Sequence, residues 1–352
     1  MGECDLYVEV GEAADMSGEE DSAMTRRTLA AFMVVMSLLF CAGASRPTKP
    51  TILFVRYPQG GGTGNLMLMD VDGGNERALL DVGGIKSADW SPDGTRIVYA
   101  TGHMWELRLR SYRDGREETV DIPEGATSPD RVRWSGDESR VAFQAWTGDP
   151  QVRDVYVLDL VTRDLINLSR HRADDEAPAW SPDGNEIAFS SNRDPAFWRG
   201  DRPSEDIYAV GARGGAIRNL TRTKVREHYP AYSPDGAQLA FMRSAQLTTN
   251  GEAWVMDLAT GRDTLVETPY PVLEIAWAPD GKRLVLTVYD AVNAQLDIAV
   301  VAVDGSDFRL LTDTLGHHEV QPRMFDPQAL GVSPRDAATV TWGALKGQAS
   351  VR

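Results

Sequence analysis

Imidazole changes charge near neutral pH and binds transition metals as a neutral ligand. This sequence has five such side chains: His103, His171, His228, His317 and His318. None stands at the tight spacing of a metal-binding motif, so a metal set such as His228, His317, His318, Glu176 and Gln321 would have to be assembled by the fold. Other signatures of chemistry fail on local detail. Asp70-Val71-Asp72-Gly73 lacks the later acidic ligand of an EF-hand loop. Gly60-Gly61-Gly62-Thr63-Gly64 leads into no helix and is no phosphate cradle, and no Gly-x-Ser-x-Gly nucleophile elbow occurs. Asp174-Asp175-Glu176 reads as a solvated loop rather than a calcium site. What remains is recognition chemistry. Phe197-Trp198-Arg199, inside the long insertion Arg193 to Glu205, combines the residue types that anchor interfaces. The expected partner-binding set is Phe197, Trp198, Arg199, His171, Glu176, His228 and His318. No catalytic residue and no cofactor are expected.

The elements that must position these residues are repeats. Asp89-Trp90-Ser91-Pro92-Asp93-Gly94 leads into Ile97-Val98-Tyr99, and Arg133-Trp134-Ser135-Gly136-Asp137-Glu138 into Val141-Ala142-Phe143. Three further copies centre on Trp180, Tyr232 and Trp277, and Met324-Phe325-Asp326-Pro327 is a worn sixth. The anchoring aromatics lie 44, 46, 52, 45 and 48 residues apart, the period of four-stranded propeller blades. Within each turn Pro presets φ, Asp bonds back to the local backbone and Gly takes the positive φ that closes the hairpin. Apolar alternation followed by Asp/Gly punctuation marks a second hairpin, as in Leu68-Met69-Asp70-Val71-Asp72-Gly73 and Val301-Ala302-Val303-Asp304-Gly305.

Each unit therefore reads as strands a, b, c and d, with the Trp ending strand a. Thr51 to Tyr57 starts directly as a b-type strand, and Val320 to Phe325 supplies an a-type strand with no c or d after it. Joining the two predicts an all-β, six-bladed β-propeller of four-stranded antiparallel blades, with the ring closed by the N- and C-terminal strands; seven blades is the alternative count. Thr339-Val340-Thr341-Trp342 reads as one more strand. Strand alternation sends the Ser-Pro-Asp-Gly and Asp-Gly turns to one end. The variable loops go to the other end, with His103 and the insertion in b–c loops and His171, His228, His317 and His318 in d–a loops.

Residues 174–191, followed by Asn192-Arg193-Asp194 and Asp206-Ile207-Tyr208, resemble the repeat of the TolB propeller family, and the resemblance covers roughly residues 50–328. It implies a binding scaffold, because the matching residues are structural and the fold hosts many roles. The family's namesake is a periplasmic component of the Tol-Pal envelope system with an α/β domain before its propeller. Here the export segment runs into the first strand within a few residues, so that domain is not expected. Similar propellers precede the hydrolase domain of prolyl-oligopeptidase-like enzymes, for which no sizeable segment remains outside the ring. The expectation is a non-enzymatic scaffold that engages a protein or peptide partner. A metal-dependent carbohydrate-active enzyme similar to the oligogalacturonate lyases, and a structural envelope component, are the alternatives.

Net charge is −16, and residues 1–23 carry eight acidic side chains and no Lys or Arg. The remainder is still acidic, a surface that repels phosphate backbones and anionic lipid, so nucleic acid is not expected as a partner. Cys4 and Cys41 both precede the repeats, which excludes a disulfide framework within them. Met24-Thr25-Arg26-Arg27, the apolar run Thr28 to Phe40 and Ala42-Gly43-Ala44 have the layout of a signal peptide cleaved before Ser45. The expected organisation is an acidic leader at 1–23 with the true start at Met24, a signal peptide at 24–44 and a propeller at 48–346. The location implied is the periplasm or the cell exterior.

Overall fold

The computed structural model describes residues 46–148, 152–195, 204–244 and 251–329. The leader and signal segment, Phe197-Trp198-Arg199 and the strand expected at Thr339–Trp342 lie outside the described residues.

The chain begins with β1 (Thr51–Pro58), β2 (Asn65–Asp70) and β3 (Arg77–Leu80). A meander follows of β4 (Ile85–Trp90), β5 (Arg96–Thr101), β6 (Leu107–Ser111) and β7 (Glu117–Val120). The next comprises β8 (Thr127–Trp134), β9 (Arg140–Trp146), β10 (Arg153–Asp159) and β11 (Leu165–Asn167). After it come β12 (Asp175–Trp180), β13 (Glu186–Ser191), β14 (Asp206–Gly211) and β15 (Arg218–Asn219). Then come β16 (Arg226–Tyr232), β17 (Gln238–Ser244), β18 (Glu252–Asp257) and β19 (Asp263–Val266). The last meander is β20 (Val272–Trp277), β21 (Arg283–Asp290), β22 (Gln295–Ala302) and β23 (Arg309–Leu310), and β24 (His317–Phe325) ends the described chain.

Strands β4 to β19 form four separate four-stranded sheets. The remaining eight share one sheet, in which β20–β23 meets the run β24-β1-β2-β3 through a single parallel bridge, Leu296 to His318. β24 pairs antiparallel with β1 from Phe325 opposite Thr51 to His317 opposite Pro58. The first strand of the opening unit is thus supplied from the other end of the described chain, as its sequence predicts. Among the described residues no helix is long and apolar enough to cross a membrane.

The turn chemistry explains the meanders. Ser91 Oγ donates to Asp93 Oδ1 at 2.6 Å, Asp93 Oδ1 accepts Thr95 N–H at 2.9 Å, and Arg96 N–H donates to Ser91 Oγ at 2.9 Å. The Ser–Asp bond recurs at Ser135–Asp137, Ser181–Asp183 and Ser233–Asp235 at 2.6 to 2.7 Å. Where other copies place glycine, Glu138 adopts φ +62°. Its carboxylate compensates by accepting Asp93 N–H at 3.1 Å and pairing with Arg96 at 3.0 Å in the preceding sheet.

Both faces of the second strands and of most third strands are buried, because each sheet packs on two others; β6 is an exception, with Arg108 and Arg110 half-buried on one face. Ile52 and Phe54 of β1 join a cluster with Val285, Ile298 and Val300, while Leu53 and Val55 join one with Ile97 and Tyr99. Side chains alternate across a strand with period two, so one apolar run serves two cores. Four more clusters link β4–β7 to β8–β11, β8–β11 to β12–β15, β12–β15 to β16–β19, and β16–β19 to β20–β23.

Candidate functional site at the bulged first strands

The polar residues of interest lie on the first strand of each four-stranded group, three or four residues before its anchoring aromatic. Each of these strands loses register there against its neighbour. The shifts fall at Ile85/Ser87, Thr127/Asp130/Arg133, Glu176/Ala179, His228/Ala231 and Val272/Glu274, and at Leu53/Val55 where β1 meets β24. A bulge sets one residue outside the ladder and re-aims its side chain. Arg131, Ala177, Tyr229 and Gln321 take φ of +53°, +53°, +57° and +58°, a conformation that costs a non-glycine residue about 1 kcal/mol or more.

The peptide N–H groups turned out of the ladder are recovered by side chains of the neighbouring four-stranded group. Ala177 N–H donates to Gln144 Oε1 at 2.9 Å, Tyr229 N–H to Ser190 Oγ at 3.2 Å and Gln321 N–H to Glu274 Oε2 at 2.8 Å. A buried orphan N–H would be costly, so these bonds hold the strained residues in place.

Six first strands thereby contribute Lys86, Arg131, Glu176, Tyr229, Glu274 and Gln321. The Arg131 guanidinium pairs with Glu274, reaches Tyr229 Oη at 3.2 Å and lies 4.8 Å from the Tyr229 ring centroid. Gln321 Nε2 donates to the Lys86 carbonyl at 2.9 Å, and Lys86 Nζ to Ser128 Oγ at 2.6 Å. Burial, against the pull of Arg131, pushes the Tyr229 phenol up to about 12.

One step away, Glu176 pairs with Arg153, and His228 Nε2 lies 3.3 Å from Glu176 Oε2 and 3.3 Å from Glu205 Oε2. Arg226 Nε donates to Glu205 at 3.1 Å. Burial raises the Glu176 carboxyl, but His228, Arg153 and Arg131 outweigh it and hold the group down at about 2. Beneath the cluster Asp89 accepts Trp134 N–H at 2.9 Å, and burial pushes it up to about 6 against the pull of Arg133. Burial brings Arg133 down to about 10, with Asp89 opposing.

The structure thus brings two of the expected site residues together, Glu176 and His228. His171 stays in the β11–β12 loop, where its Nδ1 accepts Ala173 N–H at 3.1 Å. His318 Nδ1 accepts Leu296 N–H at 3.1 Å beside the β22–β24 bridge. Three placements are corrected. His228 lies within β16 and is 1% exposed, and His317 and His318 open β24 rather than ending loops. The reason is the bulge. Strand pairing resumes on its far side, so the first strands start earlier than the turn motif suggests. His228, His317 and His318 each meet different partners and form no shared ligand set.

Arg131, Tyr229 and Glu274 were not singled out from sequence. Their signal is position, three residues before a Trp or Tyr anchor. A second set was also missed, and it includes Asp175, which lies wholly buried in β12 rather than in the solvated loop that its sequence suggests. The buried acids Asp175, Glu227 and Glu319 pair with Arg193, Arg243 and Arg56 at 2.7 to 2.8 Å. Those guanidiniums stack on Phe189, Phe241 and Phe54 at 5.1, 5.2 and 5.6 Å. Burial, opposed by Arg56, raises Glu319 to about 7.

Residues 48–246 match the family described as the TolB beta propeller domain. The chain belongs to the TolB β-propeller family. Dipeptidyl-peptidase 5 of Porphyromonas gingivalis is 33% identical over 112 residues, 30% of this chain and 16% of that protein. The Tol-Pal system protein TolB of Francisella tularensis subsp. mediasiatica is 24% identical over 275 residues, covering 64% of this chain and 60% of that protein. The chain thus spans less than two thirds of the length of either relative. The crystal structure of TolB from Acinetobacter baumannii superposes with a TM-score of 0.63 at 21% identity, over 83% of this chain and 71% of that one. At that identity the likeness speaks for the TolB propeller fold.

Proposed function

We propose that this TolB-family chain is a non-enzymatic binding scaffold of the cell envelope or exterior, engaging a protein or peptide partner at the bulged ends of its first strands. The observation that carries the reading is the convergence of Lys86, Arg131, Glu176, Tyr229, Glu274 and Gln321 from six separate first strands, four of them with a left-handed non-glycine residue at the bulge. Strain kept at one end of a fold accords with recognition there. The six four-stranded groups are blades, and the six cores between them follow one another round a ring that the β24–β1 pairing closes. The cluster then surrounds the mouth of the central channel, and Phe197, Trp198 and Arg199, outside the described residues, belong by sequence to the β13–β14 connection and are proposed to join the same binding end. His171, His228 and His318 flank it. The signal-like segment at 24–44 and the likeness to the Tol-Pal system protein TolB support export.

Site-specific photo-cross-linking in intact cells tests this. A cross-linker at position 86 or 197 is expected to trap a discrete protein adduct, while one at Lys282, in a Pro-Asp-Gly turn, traps none. Adducts of equal yield at all three positions, or at Lys282 alone, would overturn the assignment of the binding end.

A further inference from the structure

Among the described residues, one group of three acidic side chains is close enough to share a metal ion, and it brings together the end of β21, the start of β22 and the segment before β24. Asp290, Asp297 and Asp313 each offer a carboxylate oxygen, and these oxygens lie within 4.8 Å of one another. Asp290 and Asp297 are 7% and 0% exposed, and among the described residues no Lys, Arg or His pairs with any of the three. Buried carboxylates without a counter-charge are expensive unless a cation joins them.

The repeat supplies an internal control. Asp154, Asp206 and Asp297 open equivalent stretches of the third strand, and their neighbours Val155, Ile207 and Ile298 each donate N–H to Ser169, Thr221 or Thr312 at 2.8 to 3.1 Å. In the two earlier copies an asparagine neutralises the acid: Asn167 Nδ2 donates to Asp154 and Asn219 Nδ2 to Asp206, both at 2.7 Å. A backbone N–H adds to each, from His171 at 3.3 Å and Thr223 at 2.9 Å. By register the third copy replaces that asparagine with Leu310, which lies opposite Ala299 as Asn167 lies opposite Tyr156 and Asn219 opposite Tyr208. The residue after Ser169 or Thr221 is Arg170 or Arg222, whereas the residue after Thr312 is Asp313. The asparagine donor has been lost, leaving Gln295 Nε2 and Thr312 Oγ1 as the described side-chain donors to Asp297, and a basic residue has become an acidic one.

A separate observation points to what fills the gap. Gln295 is wholly buried and turns its carboxamide onto the cluster, with Nε2 3.1 Å from Asp297 Oδ2 and 3.2 Å from Asp313 Oδ1, while its Oε1 has no hydrogen-bond partner. The two ends of a carboxamide have the same shape, and a half-turn about χ3 puts Oε1 where Nε2 stands. That turn is repulsive among carboxylates alone and favourable around a cation.

We propose that Asp290, Gln295, Asp297 and Asp313 bind one calcium ion. The donor set is all oxygen, with three negative charges and no imidazole or thiolate, which selects a hard divalent cation over a transition metal. Its side-chain irregularity suits calcium over the strict octahedron of magnesium. The ion ties the β21–β22 hairpin to the segment entering β24. That segment meets the start of the fold, where Gln59 N–H donates to the Gly316 carbonyl at 2.7 Å and Gln59 Nε2 to the Ala294 carbonyl at 2.9 Å.

The test is calorimetric titration of the chelator-treated full chain with calcium chloride and with magnesium chloride, together with thermal melts. Expected are one calcium per chain, a rise in Tm on calcium addition and binding at least tenfold weaker for magnesium. Asp297→Asn is expected to weaken calcium binding at least tenfold. Asp313→Arg restores the basic residue of the other copies at an exposed position. It is expected to abolish calcium binding while the Tm in chelator stays at or above that of the parent chain. Absence of calcium binding in the parent chain, tighter binding of magnesium, or unchanged calcium affinity in Asp313→Arg would overturn the proposal.

Discussion

The indole N–H of Trp277 donates to the carbonyl of Ala231 at 2.9 Å, binding the anchor of one repeat to the residue before the anchor of the previous repeat. Trp180 does the same to Arg133 at 3.0 Å. In these two copies the tryptophan joins neighbouring sheets with a directed bond inside an apolar contact, whereas Trp134 Nε1 donates to the Glu138 carbonyl of its own turn at 3.1 Å. Trp277→Phe should keep most of the packing and lose the bond, lowering stability by about 1 kcal/mol. Trp277→Ala should also open a cavity and cost about 3–5 kcal/mol. Urea denaturation of the two variants checks the ratio; a Trp277→Phe variant as stable as the parent chain would mean that the bond to Ala231 contributes nothing.

Gly94 and Gly261 adopt nearly the same φ, +72° and +70°, in different surroundings. A Cβ on Gly94 would meet the Phe325 ring at 2.3 Å, while one on Gly261 would meet nothing within 4 Å. Gly261→Ala should cost only the left-handed penalty of about 1 kcal/mol. Gly94→Ala should cost clearly more, since the ring it displaces packs on Trp90 at 5.7 Å and seats the last strand against the second sheet. Parallel thermal melts of the two variants make the comparison.

The strand order was legible because the repeat writes the same turn chemistry again and again. Ser, Pro, Asp and Gly act through bonds within six residues, and such bonds leave a mark in local sequence. Even the supply of β24 to the first unit could be read, from a b-type strand at Thr51 with no partner before it. The site was less legible. Glu176 and His228 were chosen by type, but Arg131, Tyr229 and Glu274 meet across 98 and 143 residues of chain, and bulges decide where they point. A bulge held by Gln144 or Ser190 of another sheet has no signature in its own strand. For the same reason His228 was expected in a loop and lies buried in β16.

Glu176 gives a prediction for acid solution. Its folded-state carboxyl sits at about 2, below the ordinary 4.5, so the ionised form favours the folded chain. The contribution is complete above about pH 4.5 and is lost as pH falls toward 2, an effect on the order of 2–3 kcal/mol for a side chain 19% exposed. Glu176→Gln should therefore lower stability at pH 7 and flatten the dependence between pH 4.5 and 2. Denaturation midpoints across that range check it; curves for the two proteins that stay parallel would remove Glu176 as the source.

The Arg131–Glu274 pair poses the sharpest question about the cluster at the bulges, because both charges are largely shielded from water. Arg131 and Glu274 have side chains only 16% and 9% exposed. Arg131→Met leaves the Glu274 carboxylate with the Gln321 N–H as its remaining described donor, and should cost about 3–5 kcal/mol. Glu274→Gln keeps an acceptor for that N–H but strands the guanidinium against the Tyr229 ring. The double variant removes both charges, so it should be more stable than Arg131→Met alone. A double-mutant cycle by urea denaturation reads this directly, with a coupling above about 1 kcal/mol expected for groups in one network. If the two losses simply add, the charges are compensated separately and the bulge at Arg131 is not held by its reach to Glu274.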